Sequence, residues 1–374
     1  MPGASVNDAG WRSVMADANT KILVRGVNWL GDSIMTIPAL RHLRRCFPRA
    51  HLTLLVRPSV ADVFRELECV DDVLVRPLRS MTDFLRVGWE LRSRRYNAAI
   101  LFPHAFSAAV LTAVAGIPVR IGYATHGRRF LLTHPIALAP TLLRQHEVHR
   151  YLHLVAEAAR MLSADARPMM SPSDLRLTVP VPRQEEMKKR LAEAGLDLRK
   201  KLVVLNPGAI NSRAKQWLPE RFAAVADALL ERGDTAVILI GTAAERAVAE
   251  RVRQQMRQEP LVLTGQTTVA DLLALLSCAH LLISNDTGAA HVGAAVGVPT
   301  VVIFGPTEDF ATRPFSDHAY VVKHPVECSP CMLRECPIDH RCMTRVQVDD
   351  VLAPATEILD RARTGIFAQG EAHG

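Results

Sequence analysis

A chain of 374 residues, 49% hydrophobic and 22% charged, is long enough for two domains and has the profile of a globular protein rather than a disordered or fibrous one. No run of 18 apolar residues is present to span a membrane, and residues 1–20, with Asp8 and Asp17 and no apolar core, read as a mostly disordered leader rather than a secretory signal. The net charge of +7 is uneven: residues 1–180 hold 23 Lys and Arg against 14 Asp and Glu, residues 181–374 hold 22 against 24. A basic first half suits nucleic acid, an anionic membrane face or a phosphorylated substrate, although a solvated helix face accounts for most of its scattered arginines.

The first predicted strand, 21–27, is short, β-branched and almost free of charge, as a buried parallel strand is. Beyond Gly31 the period changes. Ile34, Ile37, Leu40 and Leu43 recur at helical spacing with Arg41, Arg44 and Arg45 opposite, which predicts a helix over 34–46 with Asp32 and Ser33 at its N-terminal end. Asp32 either caps that helix or is a carboxylate at the carboxyl end of a strand, where open α/β sheets bind ligands. Strands at 51–56, 72–75, 98–102 and 120–121, with helices at 60–66, 82–94 and 106–115, continue the alternation of a doubly wound parallel sheet. A helix at 151–162 follows. His146, His149 and His153 have helical spacing but not the H-E-x-x-H pattern of a zinc protease, and belong to the helix before the linker. The polar, proline-bearing stretch 163–186 reads as that linker.

The second half begins the pattern again, with strands at 201–205, 236–240, 261–263, 281–283 and 300–304 and helices at 220–231, 243–256, 269–277 and 289–295. Two tandem Rossmann-like sheets are implied, and facing across a cleft they would bring both sets of strand ends to one site. No G-x-G-x-x-G follows either first strand, which argues against a nicotinamide dehydrogenase. Three turns carry candidate chemistry. In Asn206-Pro207-Gly208-Ala209, leading to Lys215-Gln216-Trp217, Gly208 permits close backbone approach to a ligand and Lys215 is a point charge suited to a phosphate oxygen, its solvated alternative weakened by Arg213 and Trp217 nearby. In Gly241-Thr242-Ala243-Ala244-Glu245, Glu245 either favours a helix dipole or accepts from a ribose diol. In Asn285-Asp286-Thr287-Gly288, a strand opens into a helix of small residues whose N-terminus is a diphosphate site, with Thr287 and Gly288 as first donors and His291 one turn on, facing the ligand or simply packed. Gly305-Pro306-Thr307 closes the next strand.

Seven cysteines, an odd number, do not suggest a secreted disulfide framework. Four cluster as Cys328-x2-Cys331-x4-Cys336-x5-Cys342, a spacing open to a tetrahedral zinc site, an iron–sulfur cluster or, with Pro330 and Pro337 between, a reduced loop.

Taken together, the Gly31-Asp32 turn, the segment from Pro207 to Trp217, the run from Asn285 to His291 and Gly305-Pro306-Thr307 resemble the glycosyltransferase family 9 heptosyltransferases, most closely their heptosyltransferase II group, over about 21–359. The resemblance implies an α/β GT-B fold: an acceptor-binding domain with linker over 21–180 and a nucleotide-sugar domain over 181–374. It implies an inverting enzyme that moves a heptose from ADP-L-glycero-D-manno-heptose to the inner core of lipopolysaccharide, with no cofactor required. Asp32 would be the base and Lys215 the group that neutralises the departing ADP. Asn211, Glu245, Asp286, Thr287, Gly288 and His291 would line the nucleotide-sugar site. The enzyme would be cytoplasmic, in peripheral contact with the anionic cytoplasmic face of the inner membrane, and would bind no nucleic acid. The leader and the cysteine cluster are not constant features of the family. Two other readings compete: a GT-B transferase of another sugar to an envelope glycan, on which Gln266, Thr267 and Asn211 bear, and a metal-binding regulatory or nucleic-acid module, against which stands an aromatic content of 5%.

Overall fold

A computed structural model describes residues 20–162, 168–172, 174–210 and 212–363. The leader expected over 1–20, apart from Thr20, lies outside the described residues, and so does Asn211. The chain divides into two compact units between Leu175 and Arg176.

The first unit is built on strands β1 (Lys21–Arg25), β2 (His51–Val56), β3 (Asp72–Val75), β4 (Ala98–Leu101), β5 (Val119–Tyr123) and β6 (His134–Ile136). All pair in parallel, in the order β3-β2-β1-β4-β5-β6, with Ile22 beside Leu52 on one side and Ala98 on the other. This is the 3-2-1-4-5-6 order of a doubly wound sheet, whose direction switches between β1 and β4. The helix expected over 34–46 is two helices, α1 (Leu30–Met35) and α2 (Ile37–Cys46), meeting at Thr36. Pro38 explains the break, since a proline fits the first turn of a new helix but not the interior of a continuing one. α3 (Met81–Arg94) is opened by a capping box in which Ser80 Oγ accepts from the Asp83 N–H and Asp83 accepts from the Ser80 N–H. α4 (Phe106–Val114) and α5 (Glu147–Leu162) follow. Leu23, Leu55, Ala99 and Leu101 of the strands meet Val87 and Leu91 of α3 and Ala109 and Leu111 of α4 in one cluster, while α2 packs with α5. Each such fully buried Leu contributes about 1.5–3 kcal/mol. The helix expected at 60–66 is a 3₁₀ turn, Pro58–Val63, and His146 precedes α5 rather than lying in it.

The second unit repeats the plan with β7 (Lys201–Asn206), β8 (Thr235–Leu239), β9 (Leu261–Val262), β10 (Leu281–Asn285), β11 (Thr300–Ile303) and β12 (Ala319–Val322), ordered β12-β11-β10-β7-β8-β9 and again all parallel. Its helices are α6 (Val181–Glu193), α7 (Pro219–Glu231), α8 (Arg246–Gln255), α9 (Val269–Cys278), α10 (Gly288–Val296) and α11 (Val348–Arg363). α6 occupies the end of the expected linker: Pro180 and Pro182, read there as loop residues, fall at its cap and first turn, where a missing N–H costs nothing. Val203, Leu205, Val237, Ile283 and Ile303 form a core with Phe222 and Leu229 of α7 and Val351, Ala355 and Ile358 of α11. β6, β12 and α11 have no counterpart among the expected elements. The two edge strands are three and four residues long, too short for a periodic signal.

Candidate active site

In the second unit the switch point falls between β7 and β10, whose carboxyl ends carry Asn206 and Asn285. Asn206 Nδ2 donates to Ser284 Oγ at 3.1 Å and to Thr287 Oγ1 at 2.8 Å. Asn285 is fully buried; its Nδ2 donates to the Pro207 carbonyl at 2.8 Å and its Oδ1 accepts the Trp217 N–H at 3.1 Å. Trp217, also buried, donates its indole N–H to the Val346 carbonyl at 3.0 Å. These bonds fasten the 206–217 turn to the sheet at both ends, which positions the residue between them that carries charge.

That residue is Lys215, whose Nζ lies 2.6 Å from Asp286 Oδ2. The same oxygen accepts the Thr307 hydroxyl at 2.7 Å. Asp286 is buried, while Lys215 keeps about a quarter of its side chain accessible (28%). Asp286 therefore aims the ammonium. Beside the pair, α10 begins at Gly288 behind an extended Thr287 (φ −140°) whose side chain makes no capping bond to the helix, its hydroxyl being engaged by Asn206 and Ser284. The first-turn N–H groups and the positive end of the dipole are thereby suited to an anion. The small residues of α10 pack on the sheet. Ala289, Ala290, Gly293 and Ala295 are buried against the sheet, and a Cβ on Gly293 would stand 2.7 Å from Thr300 Oγ1. His291 is buried too, 6% exposed.

Glu245 closes a capping box: its Oε2 accepts the Thr242 N–H at 2.7 Å and the Thr242 hydroxyl at 2.8 Å. Its other oxygen lies against Gly208, where a Cβ would be 2.3 Å from Oε1. The close approach of Glu245 leaves no room for a Cβ at Gly208. Ala209, Ile210, Arg213, Gln216, Glu245 and Arg251 line a pocket of about 450 Å³ beside these turns, within the range of small-molecule sites.

The cysteine-bearing loop lies against the same turns. Ser329 Oγ donates to the Gly305 carbonyl at 2.6 Å, the Cys331 and Met332 N–H groups donate to the Pro306 carbonyl at 3.0 and 2.8 Å, and His340 Nε2 donates to the Ala214 carbonyl at 2.7 Å. The loop so braces both the Lys215 turn and the Thr307 turn. Cys328 and Cys331 are exposed, Cys336 is half-buried and accepts the His340 N–H, and Cys342 is buried. Burial, together with the thiols of Cys328, Cys336 and Cys331, pushes Cys342 up to about 11. Among the described residues, no three His, Cys, Asp or Glu side chains are gathered as a metal site.

The equivalent ends of β1 and β4 carry different groups. Asp32 is the third residue of α1, not its cap, and is partly accessible. The turn before it is held by Arg25, 4% exposed, which donates to the Gly26 carbonyl and from Nη2 to Asn28 Oδ1 at 2.7 Å. Burial and nearby Arg57 lower Arg25 to about 10, still charged at neutral pH. The phenol of Tyr151, pushed well above its usual range by burial and by the charges of Asp32 and Glu147, packs on Phe102 with ring centroids 5.5 Å apart. Past β4, His104 stacks on Tyr123 at 5.5 Å, contacts His126 edge-on at 6.3 Å and pairs Nδ1 with Thr125 Oγ1 at 3.1 Å. Arg128 is fully buried and donates to the Tyr123, Pro103 and Ala105 carbonyls. Burial, then Arg128, His126 and Arg150, lowers His104 to about 4, so it is neutral at physiological pH. Sequence reasoning passed over His104, His126, Arg128 and Tyr151. The position of Pro103-His104 directly after β4, at the switch point, was the available signal.

Residues 84–341 match the family model described as glycosyltransferase family 9 (heptosyltransferase). The chain is similar to lipooligosaccharide heptosyltransferase 2 of Haemophilus influenzae, 28% identical over 81% of this chain and 88% of that one, and to lipopolysaccharide heptosyltransferase 2 of Escherichia coli K12, 26% identical with the same coverage. Among solved structures it resembles E. coli ADP-heptose lipopolysaccharide heptosyltransferase II (TM-score 0.78, 23% identity, 92% of this chain and 100% of that one). It also resembles a family 9 glycosyltransferase of Veillonella parvula (TM-score 0.80, 24% identity, 91% and 98%). With two doubly wound sheets of GT-B type, and a family match that covers more than half of its length, the chain belongs to glycosyltransferase family 9.

Proposed function

We propose that this protein transfers a heptose from ADP-L-glycero-D-manno-heptose to the inner core of lipopolysaccharide, with inversion at the anomeric carbon, at the cytoplasmic face of the inner membrane. The observation that carries the reading is the uncapped N-terminus of α10 beside the Lys215–Asp286 pair, in a family 9 chain whose relatives are named heptosyltransferase 2. In the proposed reaction Asp32 takes the proton of the acceptor hydroxyl as its oxygen attacks the anomeric carbon and the bond to ADP breaks. Negative charge grows on the departing diphosphate. Lys215 and the N–H groups of Gly288 and Ala289 meet that charge, donors already held in place before the reaction begins, so no cofactor or metal has a part in this scheme. The pocket walled by Glu245 takes the nucleoside.

The test is ADP release from purified protein mixed with ADP-heptose and a heptose-primed inner-core acceptor. Release that needs both substrates supports the proposal. Release from ADP-heptose without acceptor, or none from folded protein that binds ADP, overturns the assignment of donor and acceptor.

A further inference from the structure

We infer that the outer face of α3, with the start of α4 and the turn at Phe130, docks onto an anionic lipid bilayer and so brings the first unit to a lipid-borne acceptor. The inference rests on the proposed function only for its purpose; the surface stands on its own observations. α3 buries Val87 and Leu91 in the core, yet its opposite side presents Met81 (75% exposed), Leu85 (49%) and Trp89 (68%) at i, i+4 and i+8. Large apolar side chains in one row on a helix already packed on its other side are not explained by the fold. α3 packs closely on α4 at Gly88, where a Cβ would lie 3.2 Å from Val114 Cγ1, and Val114 is itself 45% exposed. At the other end of α4, Phe106 and Phe130 are exposed with ring centroids 6.0 Å apart.

Charge decides the occupant. Arg79, Arg86, Arg92 and Arg95 are exposed around the row, and none of them is ion-paired among the described residues; the Arg92 guanidinium lies 5.9 Å over the Trp89 ring. The acidic groups of α3 are engaged: Asp83 caps the helix, and Glu90 is paired with Arg76 and Arg94. A cationic rim around Trp, Leu and Met matches the headgroup boundary of an anionic bilayer, where the indole sits at the interface and the arginines meet phosphates. A second copy of the chain fits poorly, because a two-fold contact through this row would set arginines against arginines. Location agrees with purpose. Met81 and Phe106 follow the carboxyl ends of β3 and β4, the edge of the sheet on which Asp32 stands.

The experiment is sedimentation of the full chain with vesicles of phosphatidylglycerol and phosphatidylethanolamine, beside vesicles of phosphatidylcholine alone. Binding to the anionic vesicles, weakened by salt, is expected. The double variant Leu85→Ser, Trp89→Ser should lower partitioning by about tenfold or more, and Arg86→Gln and Arg92→Gln by about fivefold each. All should keep the wild-type circular dichroism and turn over an acceptor stripped of its lipid chains at the wild-type rate. Wild-type protein that ignores anionic vesicles, variants that bind as well as wild type, or a wild-type dimer that the double variant dissociates would overturn the inference. Vesicle binding requires no sugar chemistry, so binding without transfer would refute the proposed function and leave the docking surface standing.

Discussion

The switch points of the two units are the same backbone device with opposite furnishings. Between β7 and β10 stand amides and hydroxyls, Asn206, Asn285, Ser284 and Thr287, beside one ammonium paired with the buried Asp286 carboxylate and one helix terminus. Beyond the ends of β1 and β4 stand rings and guanidinium groups, His104, Tyr151, Arg25 and Arg128, with two carboxylates, Asp32 and Glu147, whose charges both bear on Tyr151. A parallel sheet supplies converging strand ends in either case, and the turn residues decide the ligand. The second unit presents an ammonium beside a helix N-terminus, the pair proposed to meet the departing diphosphate. The first presents one partly accessible carboxylate, Asp32, beside a strand end, the group proposed as the base.

Substitutions can break that contrast, beginning with the largest effect. Asp32→Asn should lower turnover by about 10²–10⁴ while ADP affinity in calorimetry stays at the wild-type value, because the base acts on the acceptor and not on the nucleotide; an unchanged kcat would remove Asp32 from the mechanism. Lys215→Ala should cost about 10²–10³ in kcat and weaken ADP binding as well, since its ammonium meets charge in both the complex and the transition state. Equal loss for both variants in ADP binding would erase the distinction between the sites.

Smaller effects test the scaffolds. Asn285→Ala removes a buried side chain that satisfies the Trp217 N–H and the Pro207 carbonyl, so unfolding should become easier by about 2–3 kcal/mol, read by urea denaturation. Gly208→Ala drives a methyl into Glu245 and should disturb its cap on Thr242, at about 1–2 kcal/mol, together with weaker ADP binding. A pH effect tests the first unit. His104 is lowered in the folded chain from 6.5 to about 4, so the unfolded chain binds the extra proton between these values. Its contribution to stability is complete above about pH 6.5 and is lost as pH falls toward 4. His104→Gln should flatten that acid-side slope in thermal melts, and an unaltered slope would show that His104 is not held neutral.

Much of this was legible in the chain itself. Runs such as 201–205 and 281–283 are apolar and β-branched because a parallel strand is buried on both faces, and that requirement is written locally in each strand. The turns after β1, β7 and β10 were legible for the same reason: Gly, Asn, Asp and Thr at a strand-to-helix junction are chemistry carried within a few residues. What was misread was also local in appearance. Pro180 and Pro182 look like linker residues until their place at the cap and first turn of α6 is seen.

The partners of each group were settled only by the tertiary structure. Lys215 and Asp286 are 71 residues apart, Trp217 and Asn285 are 68 apart, and no spacing rule joins them. The cysteine loop braces the Lys215 turn from 126 residues away in the sequence. His104 becomes a neutral, stacked ring only because β5 and the Arg128 turn close over it. Periodicity and turn chemistry depend on neighbours in the chain, so the sequence alone determined the two sheets and where charge stands at their ends. Burial and pairing depend on what other segments bring into contact, so which charges are paired, aimed or kept neutral was decided by the fold.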